Sequence, residues 1–136
     1  MNKFRILVVE DQPLMRQALS GLLASVGYDV TEAVDGEEAL RHAHTVPDAV
    51  TINFELPDTD GLSLAERLRG MPGFENTPLI LITSRHLPGN CSETPLPWVS
   101  GYINKEDLID HLLPCIEYHI GDNVTRTSDL PDLQNQ

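Results

Sequence analysis

Four apolar runs of strand length each deliver a polar side chain at or just past their end. "FRILVV" leads into Glu10 and Asp11, "AVTIN" ends on Asn53, "PLILITS" ends on Thr83 and Ser84, and "GYIN" is followed by Lys105. Two carboxylates, a hydroxyl and an ammonium gathered on one edge are the inventory for holding a hard cation and a phosphoryl group. Magnesium takes a few oxygen ligands and keeps its waters, a hydroxyl donates to a phosphoryl oxygen, and Lys supplies a point charge. Taken singly, each residue has a plainer account. Glu10 and Asp11 suit the start of a helix, Thr83 is a β-branched strand residue, and Lys105 is a surface lysine. Only the set points to a site, and its central member, Asn53, is an amide rather than an acid.

The elements that must carry this set alternate between strand and helix. "FRILVV" (4–9) is the first strand. Pro13 opens and Gly27 closes a helix whose stripe is Leu14, Ala18, Leu22 and Val26 with Met15, Leu19 and Leu23. "YDVTEA" is a second strand, "DGEEALRHAHT" a helix opened by Asp35, and "AVTINF" a third strand, apolar as one covered on both faces should be. "GLSLAERLRG" is a helix ended by Gly70 and Pro72, with Asp60 as its cap and Asp58 shaping the preceding turn. "PLILITS" (78–84) and "GYIN" (101–104) are the last strands, and residues 106–120 are helical, with a kink or break expected at Pro114. Between them, residues 85–100 hold Pro88, Gly89, Pro95 and Pro97, which predicts a loop with at most one helical turn. The pattern is an α/β fold with a parallel sheet whose ligands bind outside the carboxyl ends of the strands.

Composition narrows the function. A length of 136 residues suits one domain, and the polar, aperiodic stretch 121–136 reads as a tail or linker. Nine basic against 21 acidic residues leave a formal charge of -12, which excludes a nucleic-acid or anionic-membrane surface. No apolar run spans a bilayer, and the two cysteines, Cys91 and Cys115, form neither a CxxC nor a disulfide framework. A cytoplasmic protein is expected.

Over residues 3–120 the chain resembles the receiver domains of two-component response regulators. The likeness rests on the acid pair of "VVED", the "LPDTDG" turn, "LITS" and "GYINK", in order, with 30 residues from Asn53 to Thr83 and 22 from Thr83 to Lys105. It implies a flavodoxin-like (βα)5 three-layer sandwich with strand order 2-1-3-4-5, here with its fourth helix degenerate or missing. It places Asn53 at the phosphoacceptor position, which is Asp in the family. Glu10, Asp11 and the backbone carbonyl of Glu55 become magnesium ligands, Thr83 the switch hydroxyl, Lys105 the phosphate contact and Tyr102 the switch aromatic. The partners implied are proteins: a histidine kinase, another signalling protein, or a second copy in a homodimer.

Three departures alter that expectation. An acyl phosphate needs a carboxylate oxygen as nucleophile, and Asn53 has none. The amide removes one of three clustered charges, and like charges about 4 Å apart repel by roughly 4 kcal/mol at an effective dielectric of about 20. The metal-free pocket is thereby relieved, magnesium is held only weakly, and Lys105 loses a charged partner. After Lys105 the family usually has a cis-linked Pro, whereas Glu106 follows here. A non-Pro cis bond costs about 3 kcal/mol, so a trans bond and a shifted loop are expected. The proline-rich 85–100 stretch is the third departure. Together they favour a receiver that is not phosphorylated at position 53 and acts as an interaction module. The alternative is a conventional receiver carrying an engineered Asp-to-Asn replacement, which accounts for the first departure alone.

Two further patterns are weighed and set aside. His111, Cys115 and His119 lie at i, i+4 and i+8, but one helix interrupted by Pro114 does not wrap a tetrahedral zinc ion. "DTDG", "ITS" and Lys105 loosely resemble the motifs of haloacid dehalogenase-like phosphatases. There, however, the second acid follows its strand directly, and Asp58 lies five residues past Asn53.

Overall fold

The computed structural model describes residues 3–134, and the side chains of residues 3–121. Five strands form one parallel sheet in the order β2-β1-β3-β4-β5. They are β1 (Arg5–Val9), β2 (Asp29–Ala33), β3 (Ala49–Asn53), β4 (Leu79–Thr83) and β5 (Gly101–Asn104). Four helices connect or follow them: α1 (Pro13–Ser25), α2 (Gly36–His42), α3 (Gly61–Arg69) and α4 (Leu108–Gln134), the last entered through a 3-10 turn at Lys105–Asp107. The strand order is the one the receiver resemblance implies.

The sheet is buried on both faces, and strand alternation divides its residues between two cores. Leu7, Val9, Val50, Ile52, Leu79 and Leu81 pack against Ala39 of α2 and Leu64, Ala65 and Leu68 of α3. Ile6, Val8, Ile80, Ile82 and Ile103 pack against Leu19 and Leu23 of α1 and Leu112, Cys115 and Ile116 of α4. The α1 stripe is narrower than its sequence suggests. Leu14 is 82% exposed and Val26 56% exposed, because the helix turns Met15, Leu19, Leu22 and Leu23 to the sheet instead.

Helix ends follow their capping residues. Pro13 begins α1, where a helix makes no internal hydrogen bond that its missing amide hydrogen would forfeit, and Gly27 takes a φ of 100° to turn the chain back toward β2. Asp35 accepts from the Glu38 amide at the start of α2, and Asp60 from the Ser63 amide at the start of α3. The break expected at Pro114 is not there. α4 runs through it as one helix, because Pro114 sits on the exposed side while Leu112, Cys115 and Ile116 are anchored in the core. The segment expected as a polar tail or linker continues this helix to Gln134; its side chains and residues 135–136 lie outside the described residues.

Residues 85–100 form no helical turn; the chain there makes bends held by side chains. The Asn90 carboxamide oxygen accepts from the Ser92 and Glu93 amides, and the Thr94 hydroxyl donates to the Pro88 carbonyl. Leu87, Leu96 and Val99 from this loop fill one core and Cys91 the other, which is the packing a helix would otherwise supply. Gly101 is required where the loop rejoins the sheet, since a Cβ there would overlap the Cys91 carbonyl group.

Arg69 fastens the far end of the loop. Its guanidinium donates to the carbonyls of Phe74 (2.6 Å), Thr77 (2.7 Å) and Trp98 (2.9 Å) and to the Ser100 hydroxyl (3.3 Å). No carboxylate among the described residues pairs with it, and burial lowers its pKa, so these oxygens carry the compensation for its desolvation. Arg69→Ala strands three carbonyls at once and should destabilise the fold by about 2–4 kcal/mol. Urea denaturation is the measurement, and a loss under about 0.5 kcal/mol, the range of ordinary surface changes, would refute this role.

Candidate functional site

Parallel strands that end together bring their next residues to one edge, and this edge holds the predicted set. β1 ends at Val9, so Glu10 and Asp11 stand at its carboxyl end, with the Glu10 amide bonded to the Ala33 carbonyl at the end of β2 (3.0 Å). Asn53 is the last residue of β3 and Thr83 of β4, and both are buried. After Asn53 the chain folds into a tight turn closed by the Glu55–Asp60 bridge and the Gly61 amide bonded to the Phe54 carbonyl (2.7 Å). Gly61 is obligatory there, because a Cβ would stand 2.9 Å from the Asn53 carbonyl oxygen.

The Asn53 amide nitrogen is the centre of the pocket. It lies 2.7 Å from the Glu55 carbonyl oxygen, 3.2 Å from Asp11 Oδ1 and 3.4 Å from Glu10 Oε2, and donates toward all three. These are the three oxygens that the resemblance assigns to magnesium. An NH2 group carries a partial positive charge, so it offsets the mutual repulsion of acceptors that a cation would otherwise neutralise. Two oxygens beside it, Glu10 Oε1 and Asn53 Oδ1, are buried and have no hydrogen-bond partner among the described residues. Hard carboxylate and carbonyl oxygens with two unsatisfied neighbours are a donor set suited to magnesium.

Burial raises the pKa of Glu10, and the nearby charge of Asp11 pushes the same way. The amide of Gln12, donating to Oε2 at 3.2 Å, and the positive charge of Lys105 oppose that shift without cancelling it. Lys105 itself makes no side-chain hydrogen bond or ion pair among the described residues. It opens the 3-10 turn, and no peptide bond among the described residues is cis.

The hydroxyls of Thr83 and Tyr102 bond to groups other than this centre among the described residues. The Thr83 hydroxyl accepts from the Arg85 amide at 3.0 Å, and the Tyr102 hydroxyl donates to the Leu87 carbonyl in the 85–100 loop at 2.6 Å. Sequence spacing did not disclose two arginines at the rim. Arg16, one turn into α1, donates to the carbonyls of Glu10 (3.0 Å) and Asp11 (3.4 Å) and pairs with Glu32. Arg85 lies over the Phe54 ring, 4.7 Å from its centroid, and 3.8 Å from the Glu55 carboxylate. A position in the first helical turn after the acid pair was the only signal available for Arg16; nothing marked Arg85.

The other candidate residues have local duties. Asp58 accepts from the Gly36 and Glu37 amides at 2.9 Å each, so it caps α2 across the turn rather than facing Asn53 as a phosphatase acid would. His119 is held by the Cys91 carbonyl at 2.6 Å, and no zinc-binding group forms from His111, Cys115 and His119 among the described residues.

A sequence model of the response regulator receiver domain matches residues 6–117, and the chain belongs to that family. Protein PilG of Pseudomonas aeruginosa is 26% identical over 117 residues, 85% of this chain and 87% of its own length. The gliding motility regulatory protein of Myxococcus xanthus is 34% identical over 88 residues, 64% of this chain but only 11% of that longer protein. Among solved structures, the receiver domain of a sensor histidine kinase from Pseudomonas aeruginosa, with magnesium coordinated in its active-site cleft, superposes with a TM-score of 0.78. It is 29% identical, and the match covers 88% of this chain and 99% of the other. The class is thus a signalling module of two-component systems, with a flavodoxin-like sheet. No helix among the described residues is long and apolar enough to cross a membrane.

The amides of Gly36 and Glu37 hold the Asp58 carboxyl below its ordinary value of 3.8. A lowered native pKa means that the capping contribution is complete above the unfolded value and fades as pH falls through the native one. Asp58→Ala should therefore cost about 0.5–1 kcal/mol at neutral pH and nothing at the acid extreme. Stability curves of the two proteins that stay parallel from neutral pH to pH values well under 3.8 would contradict this.

Proposed function

We propose that this chain is a receiver that has left the phosphorylation cycle and works as a protein-interaction module. The observation that supports this is the Asn53 amide, directed at the Glu55 carbonyl and the two carboxylates at 2.7–3.4 Å. With its nitrogen among the cation ligands and no carboxylate oxygen to attack phosphorus, position 53 neither forms an acyl phosphate nor needs a metal to relieve charge. Glu10, Asp11 and the Glu55 carbonyl would hold magnesium weakly, since the third acid is missing and the amide competes for the same oxygens. Bound there, the ion would supply charge neutralisation to an incoming phosphoryl group, with Thr83 and Lys105 as its contacts and Tyr102 coupling the edge to the loop.

In this reading the domain spans residues 1–120 and residues 121–136 serve as a tail or linker. The partners are proteins: a histidine kinase, another signalling protein or a second copy. The module performs no catalysis at position 53, binds neither nucleic acid nor membrane, and works in the cytoplasm. The second reading, a conventional receiver with its Asp replaced, is favoured by the survival of Glu10, Asp11, Thr83 and Lys105 at their strand ends.

Intact mass after incubation with acetyl phosphate and magnesium tests the proposal on this chain and on Asn53→Asp. This chain should stay unmodified. A phosphoryl group mapped to residue 53 itself would overturn the reading. Gain of one phosphoryl by Asn53→Asp alone would mean that the rest of the pocket is complete. Labelling of neither would mean that the other departures have also retired it. Magnesium should bind Asn53→Asp at least about tenfold more tightly by calorimetry, because a carboxylate adds charge and removes the competing donor.

A further inference from the structure

The chain has two cysteines, and the fold brings them together from elements 24 positions apart. Cys91 lies on the 85–100 loop and Cys115 on α4. The Cys115 thiol is 3.7 Å from the Cys91 carbonyl oxygen, and the two side chains pack into the same core. His119, one turn along α4, binds the same carbonyl at 2.6 Å, and Gly101 leaves room for that carbonyl against β5. The backbone of Cys91 is thus held over Cys115 from two sides.

The two sulfurs differ in access. Cys115 is fully buried, which shields its thiol from solvent, and burial together with the neighbouring thiol raises its pKa. Cys91 is half-buried and lines a surface cavity of about 310 Å³ with Asn90, Tyr102 and His111, space enough for a small oxidant. One reachable thiol backed by one sheltered thiol is the arrangement in which a first oxidation is resolved by a disulfide.

We propose that Cys91 and Cys115 are a modification site, oxidised by a hydroperoxide to an intramolecular disulfide that staples the 85–100 loop to α4. The Cys91 sulfur attacks one peroxide oxygen, the O–O bond breaks, and the departing alkoxide or hydroxide takes the thiol proton, leaving Cys91 as a sulfenic acid. The Cys115 sulfur then attacks the Cys91 sulfur; its S–O bond breaks, and the hydroxide leaves as water with the Cys115 proton. Two thiols and one hydroperoxide give one disulfide, one alcohol or water, and one water. In a reducing compartment the pair rests as thiols, and the bond records an oxidant pulse. The loop it fixes carries Leu87, whose carbonyl accepts the Tyr102 hydroxyl, so the staple also immobilises that tyrosine.

Treatment of the folded chain with a small excess of hydrogen peroxide, followed by intact mass and non-reducing peptide mapping, tests this. The expected result is loss of the mass of two hydrogen atoms, a peptide linking Cys91 to Cys115 within one chain, and reversal by dithiothreitol. The oxidised protein should also melt roughly 5–10 °C higher, since the bond closes a loop of 24 residues by position. Cys91→Ser should show no change. Cys115→Ala should stop at a sulfenic acid on Cys91, trapped by dimedone. Oxidation of Cys91 to a sulfinic acid with no link, disulfides only between chains, or two thiols still alkylated after treatment would each overturn the proposal. Asn53→Asp should oxidise as the unaltered chain does, which separates this site from the pocket chemistry.

Discussion

Desolvated oxygen acceptors crowded at the carboxyl edge of a parallel sheet are the constraint on which the site depends. Glu10 is 1% exposed and Asn53 3%, so both are largely withdrawn from bulk solvent. In such a place a missing donor costs more than an ordinary hydrogen bond contributes. The Asn53 NH2 group is the one side-chain hydrogen-bond donor to the Glu10 and Asp11 carboxylates and the Glu55 carbonyl among the described residues. The remaining strain is visible in the raised pKa of Glu10 and in the two oxygens without partners. An acid at position 53 would sharpen that strain and call for a cation; the amide quiets it from within.

Around this centre, acids act as caps more than as ligands. Asp35 and Asp60 close the first turns of α2 and α3, and Asp58 reaches from the β3–α3 turn to two further α2 amides. The arrangement ties the turn after Asn53 to the helix after β2, so the backbone that presents the Glu55 carbonyl is braced from its neighbour. Much of the excess negative charge near the site is therefore structural, spent on helix N-termini where the dipole favours it.

The loop at 85–100 solves the packing problem left by an absent helix in a different currency. Proline prevents regular hydrogen bonding within the segment, so its polar groups are satisfied by Asn90, Thr94, Arg69, Tyr102 and His119. Its apolar side chains enter both cores. Because those anchors come from α3, β5 and α4, the loop is bound to three elements at once and its position depends on all of them.

The strand order came from the receiver resemblance, while periodicity and strand-end chemistry made the alternation of elements, the loop at 85–100 and the caps at Asp35 and Asp60 legible and nominated the set from Glu10 to Lys105. These are local or pattern-borne properties, set by burial alternation and by side chains bonding their own neighbours. Where a helical row of seven apolar residues exceeds what the sheet can cover, only packing decides which face turns inward, as Leu14 and Val26 show. The continuity of α4 through Pro114 is likewise a tertiary outcome, in which buried anchors outweigh one missing hydrogen bond. Which three oxygens the Asn53 amide meets, how Arg69 and Arg85 are employed, and the meeting of Cys91 with Cys115 were decided by the fold alone. Each joins residues distant in the chain, and no spacing encodes a contact that exists only once the sheet has aligned its strand ends.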